Sequence, residues 1–78
     1  YSEIVKIYPN PASNYLNISS LERIDCVCVY DISGRMVEKT DVNDNKTMID
    51  TFRYDRGIYV VCVEIKEKIY KTKVSITN

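Results

Sequence analysis

The sequence has no histidine and no tryptophan. The first absence removes the side chain best suited to act as a base near neutral pH, and with it the most common nitrogen ligand for a metal. The second counts against a sugar-stacking platform, which would have to rest on tyrosines such as Tyr1, Tyr8 and Tyr15. Glycine is equally scarce: Gly34 and Gly57 are the 2 in the chain, both stand where the chain must turn, and none is left for a phosphate-cradling loop. Eleven Lys and Arg are balanced by 11 Asp and Glu, so the strong positive field of a nucleic-acid binder is missing. No apolar run approaches the roughly 20 residues of a membrane-spanning helix, and no basic-then-apolar leader opens the chain.

The 3 cysteines, Cys26, Cys28 and Cys62, are an odd number and too few for a disulfide-stapled miniprotein. Cys26 and Cys28 are two apart in a strand-like run and point to one face, so a bridge between them is disfavoured. A bridge from one of them to Cys62 requires neighbouring strands, and three reduced thiols are the competing reading. A zinc site would want four ligands. A fold of 78 residues hides about 60% of its unfolded surface, which leaves little room for a catalytic cleft. Nothing in the spacing singles out a carboxylate pair among Asp31, Asp41, Asp50 and Asp55, and no cofactor is called for. The chain is expected to be a single soluble domain, residues 1 to 78, cut from a longer polypeptide, and not an enzyme.

What is present is alternation. Apolar residues recur with period two in short runs rich in valine, isoleucine and tyrosine, divided by turn residues. Seven strands are predicted: Ile4–Tyr8, Tyr15–Ser19, Ile24–Asp31, Arg35–Lys39, Thr47–Asp50, Ile58–Ile65 and Ile69–Ile76. In the last, Tyr70, Thr72, Val74 and Ile76 share the buried face and Lys71, Lys73 and Ser75 the wet one. The Ile58–Ile65 run is apolar on both faces, as a centrally covered strand would be, and the third run behaves alike. The polar stretch 41–46 reads as a loop. Its Asp41, Asn43 and Asn45 alternate like calcium ligands, but Lys46 replaces the required glycine and Phe52 the closing glutamate. The class expected is all-β, an immunoglobulin-like antiparallel β-sandwich of about seven strands, with a small open barrel as the competing architecture.

Three motifs punctuate the strands. Pro9, Asn10 and Pro11 stop the first, because two prolines remove two backbone donors and stiffen the exit. Asp31-Ile32-Ser33-Gly34-Arg35 makes a hairpin, with the Asp31 carboxylate accepting backbone N–H groups and Gly34 taking the left-handed conformation. Gly57, after Arg56, lets the chain turn into the run that holds Tyr59.

In this order the motifs resemble the C-terminal sorting domain of type IX secretion substrates, the Por secretion tail, from Val5 to Ile76. Val5 to Ala12 is similar to that family's first box, Val29 to Val37 to its second, Ile49-Asp50 with Gly57 to Val61 to its third, and Lys71 to Ile76 to its terminal strand. Asn14 and Tyr54 depart from the usual aspartate and leucine, and the cysteines match no family position. The resemblance implies a protein-transport signal of a Bacteroidetes-type bacterium. It would follow an N-terminal passenger in cis, cross the periplasm, be recognised by the outer-membrane type IX translocon and be removed by a surface sortase, leaving the passenger on the cell surface or secreted. It implies recognition through the last two strands by Gly57, Tyr59, Lys71 and Lys73, with Pro9, Asn10, Pro11, Asp31, Gly34 and Arg35 shaping the fold. The competing function is an immunoglobulin-like accessory module that binds glycan or protein; a small hydrolase would need converging acids in a real pocket.

Overall fold

A computed structural model describes residues 4–78; the tyrosine platform's Tyr1 lies outside them. Among the described residues five strands are formed: β1 (Val5–Tyr8), β2 (Tyr15–Asp31), β3 (Met36–Asp50), β4 (Gly57–Ile65) and β5 (Lys68–Ile76). They belong to one curled antiparallel sheet in the order β1-β2-β4-β5, with β3 also paired to β2. The all-β class and the antiparallel pairing agree with the sequence reading. The number of strands does not: five replace the predicted seven.

The difference has a local cause. The predicted second and third runs are one strand, β2, whose two halves serve different neighbours. Residues 17–20 lie between β1 and the late half of β3, whereas residues 26–31 lie between the early half of β3 and β4. Between the halves, Ser19 faces Lys46 and Ile24 faces Asp44, so that Ser20 to Arg23 stand against Asn45 alone. A bulge of this kind bends and twists a strand without ending it. On the partner side the supposed loop 41–46 is part of β3, with Asn43 at φ 53° where Val42 and Asn43 stand against Asp25. Asparagine tolerates that left-handed backbone better than most residues, so a polar run that breaks the alternation still pairs.

The core forms inside the curl. Leu16, Ile18 and Ile49 from the early part of β2 and the late part of β3 pack with Val27, Val29, Tyr59, Val61, Val63, Ile65, Val74 and Ile76. In β4 the inward face, Tyr59, Val61, Val63 and Ile65, is buried, while Ile58, Val60, Cys62 and Glu64 on the opposite face are exposed or half-buried. The expectation of cover on both faces of β4 is thus corrected, since among the described residues none packs over that outer side as a second layer. In β5, Val74 and Ile76 are buried and Tyr70 is half-buried, but Thr72 is exposed. The alternation expected along that strand is kept only toward its end.

No helix among the described residues is long and apolar enough to cross a membrane.

Candidate functional site

Two features gather the residues that the sequence singled out. The first is a clasp between the proline box and β5. Tyr8-Pro9 and Asn10-Pro11 are cis bonds, and the three box residues Pro9, Asn10 and Pro11 are exposed. The Asn10 side chain donates to the carbonyl of Lys73 at 3.2 Å and accepts the N–H of Ser75 at 3.1 Å. Ala12, 1% exposed, continues the line: its N–H donates to Ser75 O at 2.8 Å and its carbonyl accepts the N–H of Thr77 at 2.9 Å. The result is a short parallel bridge, Ala12 to Ile76, on the outer edge of β5.

The same end of the molecule is tied to the β3–β4 connection. Thr51, 1% exposed, donates its hydroxyl to Ser13 O at 2.8 Å and its N–H to Asn14 O at 3.0 Å. The Asn78 amide donates to Thr51 O at 2.6 Å and more weakly to the carbonyls of Phe52 and Tyr54. Behind this knot the Tyr54 and Tyr59 rings lie 5.2 Å apart. Tyr59 donates to Asp55 O at 2.7 Å, and Tyr54 donates to the Glu38 carboxylate. Burial and that carboxylate both raise the Tyr54 phenol above its ordinary value. Tyr59 is therefore a core residue, and Gly57, at φ 153°, opens its strand.

The second feature is an open trough of about 620 Å³ on the uncovered face of β2, β4 and β5. The strand pairing orders it in rows. Tyr30 faces Val60, which faces Lys73; Cys28 faces Cys62, which faces Lys71; Cys26 faces Glu64, which faces Ile69. On the other side of β2, Lys39 faces Cys28. Apolar and thiol side chains with Glu64 thus make the floor, Lys71 and Lys73 stand along one margin, and Lys39 lies beyond the other. Ile32, 81% exposed, and Ile58 lie toward its end.

That end is shaped by the Asp31 hairpin. One Asp31 carboxylate oxygen accepts the Ser33 N–H at 3.0 Å, the Ser33 hydroxyl at 2.7 Å and the Arg35 N–H at 3.0 Å. The other oxygen pairs with the Arg35 guanidinium at 3.2 Å. Gly34, at φ 92°, donates to Asp31 O. The Ser33 hydroxyl, followed by the Arg35 amide, holds the Asp31 carboxyl below the usual carboxylate range. The turn predicted from the sequence is present, with every special residue in it used to fold the backbone.

The electrostatics of the floor are those of shielded thiols. Cys26 donates to Glu64 Oε1 at 3.1 Å, and that bond, with burial, pushes its thiol up to about 12. Burial also raises Cys62, while Lys71 opposes the rise. Among the described residues no group of three or more histidine, cysteine or acidic side chains is placed to hold a metal ion. Asp41 and Asn43 belong to β3, and Asn45 donates to the carbonyls of Ser20 and Leu21.

Of the residues predicted for the site, Lys71, Lys73, Asp31 and Gly34 line one trough, and Asn10 reaches the backbone of Lys73 from its far edge. Pro9, Pro11, Gly57 and Tyr59 do not line it. The tie made by Thr51 and Asn78 escaped the sequence reading, which names either Cys26 or Cys28 as a neighbour of Cys62 without choosing; the register chooses Cys28. A threonine at the end of an apolar run is a weak signal for that tie.

Comparison with known proteins gives these features a context. The chain matches no curated protein. Its fold is similar to part of PorZ, described as an essential bacterial surface component of the type-IX secretion system of Porphyromonas gingivalis, at a TM-score of 0.79 and 22% identity over 95% of this chain. The chain spans 11% of the length of that protein. It is also similar in fold to the sulfur carrier protein SoxY from Chlorobium limicola f thiosulfatophilum, at a TM-score of 0.61 and 16% identity, covering 96% of this chain and 78% of that one. The sequence profile described as "Secretion system C-terminal sorting domain" matches residues 6–77, nearly the whole chain. The chain belongs to the secretion system C-terminal sorting domain family.

Proposed function

We propose that this domain is an address rather than an enzyme: a type IX sorting signal that sends an N-terminal passenger through the periplasm and the outer-membrane translocon to the cell surface or the medium. The observation that carries this reading is the family match from residue 6 to residue 77. In this proposal the curled sheet, with its early and late halves packed through one core, supplies the two layers of an immunoglobulin-like sandwich.

Within that function the translocon reads the trough face and β5, where Lys71 and Lys73 are exposed. Gly57 and Tyr59 set the geometry of β4 from behind. Pro9, Asn10 and Pro11 hold β5 in place, and Asp31, Gly34 and Arg35 fix the hairpin at the end of the trough. A surface sortase then removes the domain from the passenger.

The test is to fuse residues 1 to 78 behind a periplasmic reporter in a host that has the secretion machinery. Export of the reporter is expected, and its retention in the periplasm of a matched native host would overturn the proposal. Reversing both lysines, K71E with K73E, is expected to block export while leaving the domain folded.

One observation favours a second reading as a glycan-binding accessory module. Tyr8 and Tyr15 are 49% and 45% exposed, and Tyr8 faces Asn17, two residues beyond Tyr15 on the same side of β2. A titration with oligosaccharides that shifted these two rings selectively would favour that module.

A further inference from the structure

We propose that Cys28 and Cys62 form a modification site, a thiol pair that closes into a disulfide joining β2 to β4 across the floor of the trough. All three cysteines are free in the structure, and Cys28 and Cys62 are direct cross-strand partners. The hydrogen bonds at the sheet edges fix which kind of pair they form.

On β5, the carbonyl of Lys73 and both backbone groups of Ser75 are engaged on the outer edge, by Asn10 and Ala12. The alternate residues Val74 and Thr72 therefore turn their backbone groups to Tyr59 and Val61 of β4. Cys62, next to Val61, consequently turns its own toward β2. From the other side, Asp31 bonds to Arg35 across the hairpin with β3, so Val29 faces β3 and Cys28 faces β4. Cys28 and Cys62 therefore turn their backbone groups toward each other and are a hydrogen-bonded antiparallel pair. Such a pair holds its Cα atoms about 5.5 Å apart, within the span of disulfides; its Cβ atoms start wider than those of a non-hydrogen-bonded pair, so closing the bridge draws the two side chains together.

The third thiol is held out of the reaction. Cys26 shares the face, but its direct partner on β4 is Glu64, to which it donates a hydrogen bond at 3.1 Å. That bond favours the protonated thiol, and the thiolate is the reactive form. Cys28 and Cys62 are half-buried, have no such carboxylate as partner among the described residues, and are flanked by Lys39 and Lys71 on β3 and β5; burial raises the Cys62 thiol and Lys71 opposes that rise. The oxidant is a disulfide, either a small molecule or a dithiol–disulfide protein of an oxidising compartment. One protein thiolate attacks it, forms a mixed disulfide and expels a thiolate. The second protein thiolate then attacks the mixed disulfide at the protein sulfur and expels the other half. Two protein thiols are oxidised, one external disulfide is reduced to two thiols, and the two protons pass to the expelled thiolates.

The experiment is to treat the folded chain with oxidised glutathione, count thiols after denaturation with a maleimide, and map peptides without reduction. The titre is expected to fall from 3 thiols to one, in a monomer lighter by two hydrogens, with the Cys28 peptide linked to the Cys62 peptide. Cys26→Ser is expected to leave the link intact. Cys28→Ser and Cys62→Ser, each checked for native circular dichroism, should each abolish it. Three remaining thiols, a stable glutathione adduct without the link, a link through Cys26, or bridging only between chains would each overturn the proposal.

Discussion

The side chain of Asn10 binds the backbone of Ser75 as a neighbouring strand would, accepting its N–H at 3.1 Å while its amide nitrogen donates to the preceding carbonyl, that of Lys73, at 3.2 Å. One residue of the proline box thereby occupies two backbone groups on the edge of the last strand. Exposed sheet edges invite pairing with other chains, and this one is covered from within. Asn10→Ala is expected to destabilise the domain by about 1 kcal/mol, the net worth of an exposed polar interaction, as read from the urea midpoint. Asn10→Asp keeps the acceptor and loses the donor, so its midpoint should fall between those of the parent and Asn10→Ala.

A larger effect is expected at Thr51. Its hydroxyl bonds to the carbonyl of Ser13 from a side chain only 1% exposed. Thr51→Val keeps the shape, removes the donor of this part-buried bond and leaves the Ser13 carbonyl without it. The cost is about 1.5 kcal/mol, the upper end of the net worth of such a bond, measurable by thermal or urea unfolding. An unchanged midpoint would show that water replaces the hydroxyl.

The Asp31 hairpin makes an acid-dependent contribution. Hydrogen bonds to the carboxylate lower its pKa in the folded state. Stability from this group is therefore present above the unfolded value, about 3.9, and is lost as pH falls through the lower folded one. Asp31→Ala should lower the urea midpoint at pH 7 and have a smaller effect once the carboxylate is protonated in both states. Equal losses at both ends of a pH series would contradict the assignment.

The bond from Cys26 to Glu64 has a kinetic signature. With its thiol pushed up to about 12, Cys26 should be alkylated by iodoacetamide at pH 8 far more slowly than in the unfolded chain. Glu64→Gln removes the carboxylate that favours the protonated form, so Cys26 should react faster in that variant. Peptide-resolved labelling distinguishes the three sites, and a Cys26 rate insensitive to Glu64→Gln would sink the prediction.

Much of this architecture was legible from residue patterns. Val61, Val63 and Ile65 declared the buried face of β4 by alternation, and Asp31, Gly34 and Arg35 declared their turn by chemistry that is local to five residues. Where the reading failed, geometry set by distant partners had taken over. The run from Asp41 to Lys46 is polar but for Val42 and shows no alternation, yet its backbone is paired with β2 across a bulge at Asn43. Side-chain alternation is blind to such pairing, because the ladder is made by backbone groups that every residue carries. The outer face of β4 failed for a related reason. Val60 and Cys62 are apolar enough to suggest cover, and only the course of the curl reveals that no second layer arrives there.

The parallel contact of Ala12 with Ile76 also has a mechanical meaning. Two parallel segments, one entered from the start of the chain and the other leaving toward its end, lie side by side and are joined by several hydrogen bonds at once. Tension applied between the two ends drags these segments lengthwise past each other, so the bonds share the load and must break together. An antiparallel hairpin pulled from its open end would surrender them singly, like a zip. A domain drawn by its passenger would on this account hold its shape until the force rose high enough to break the clasp, and would then give way abruptly.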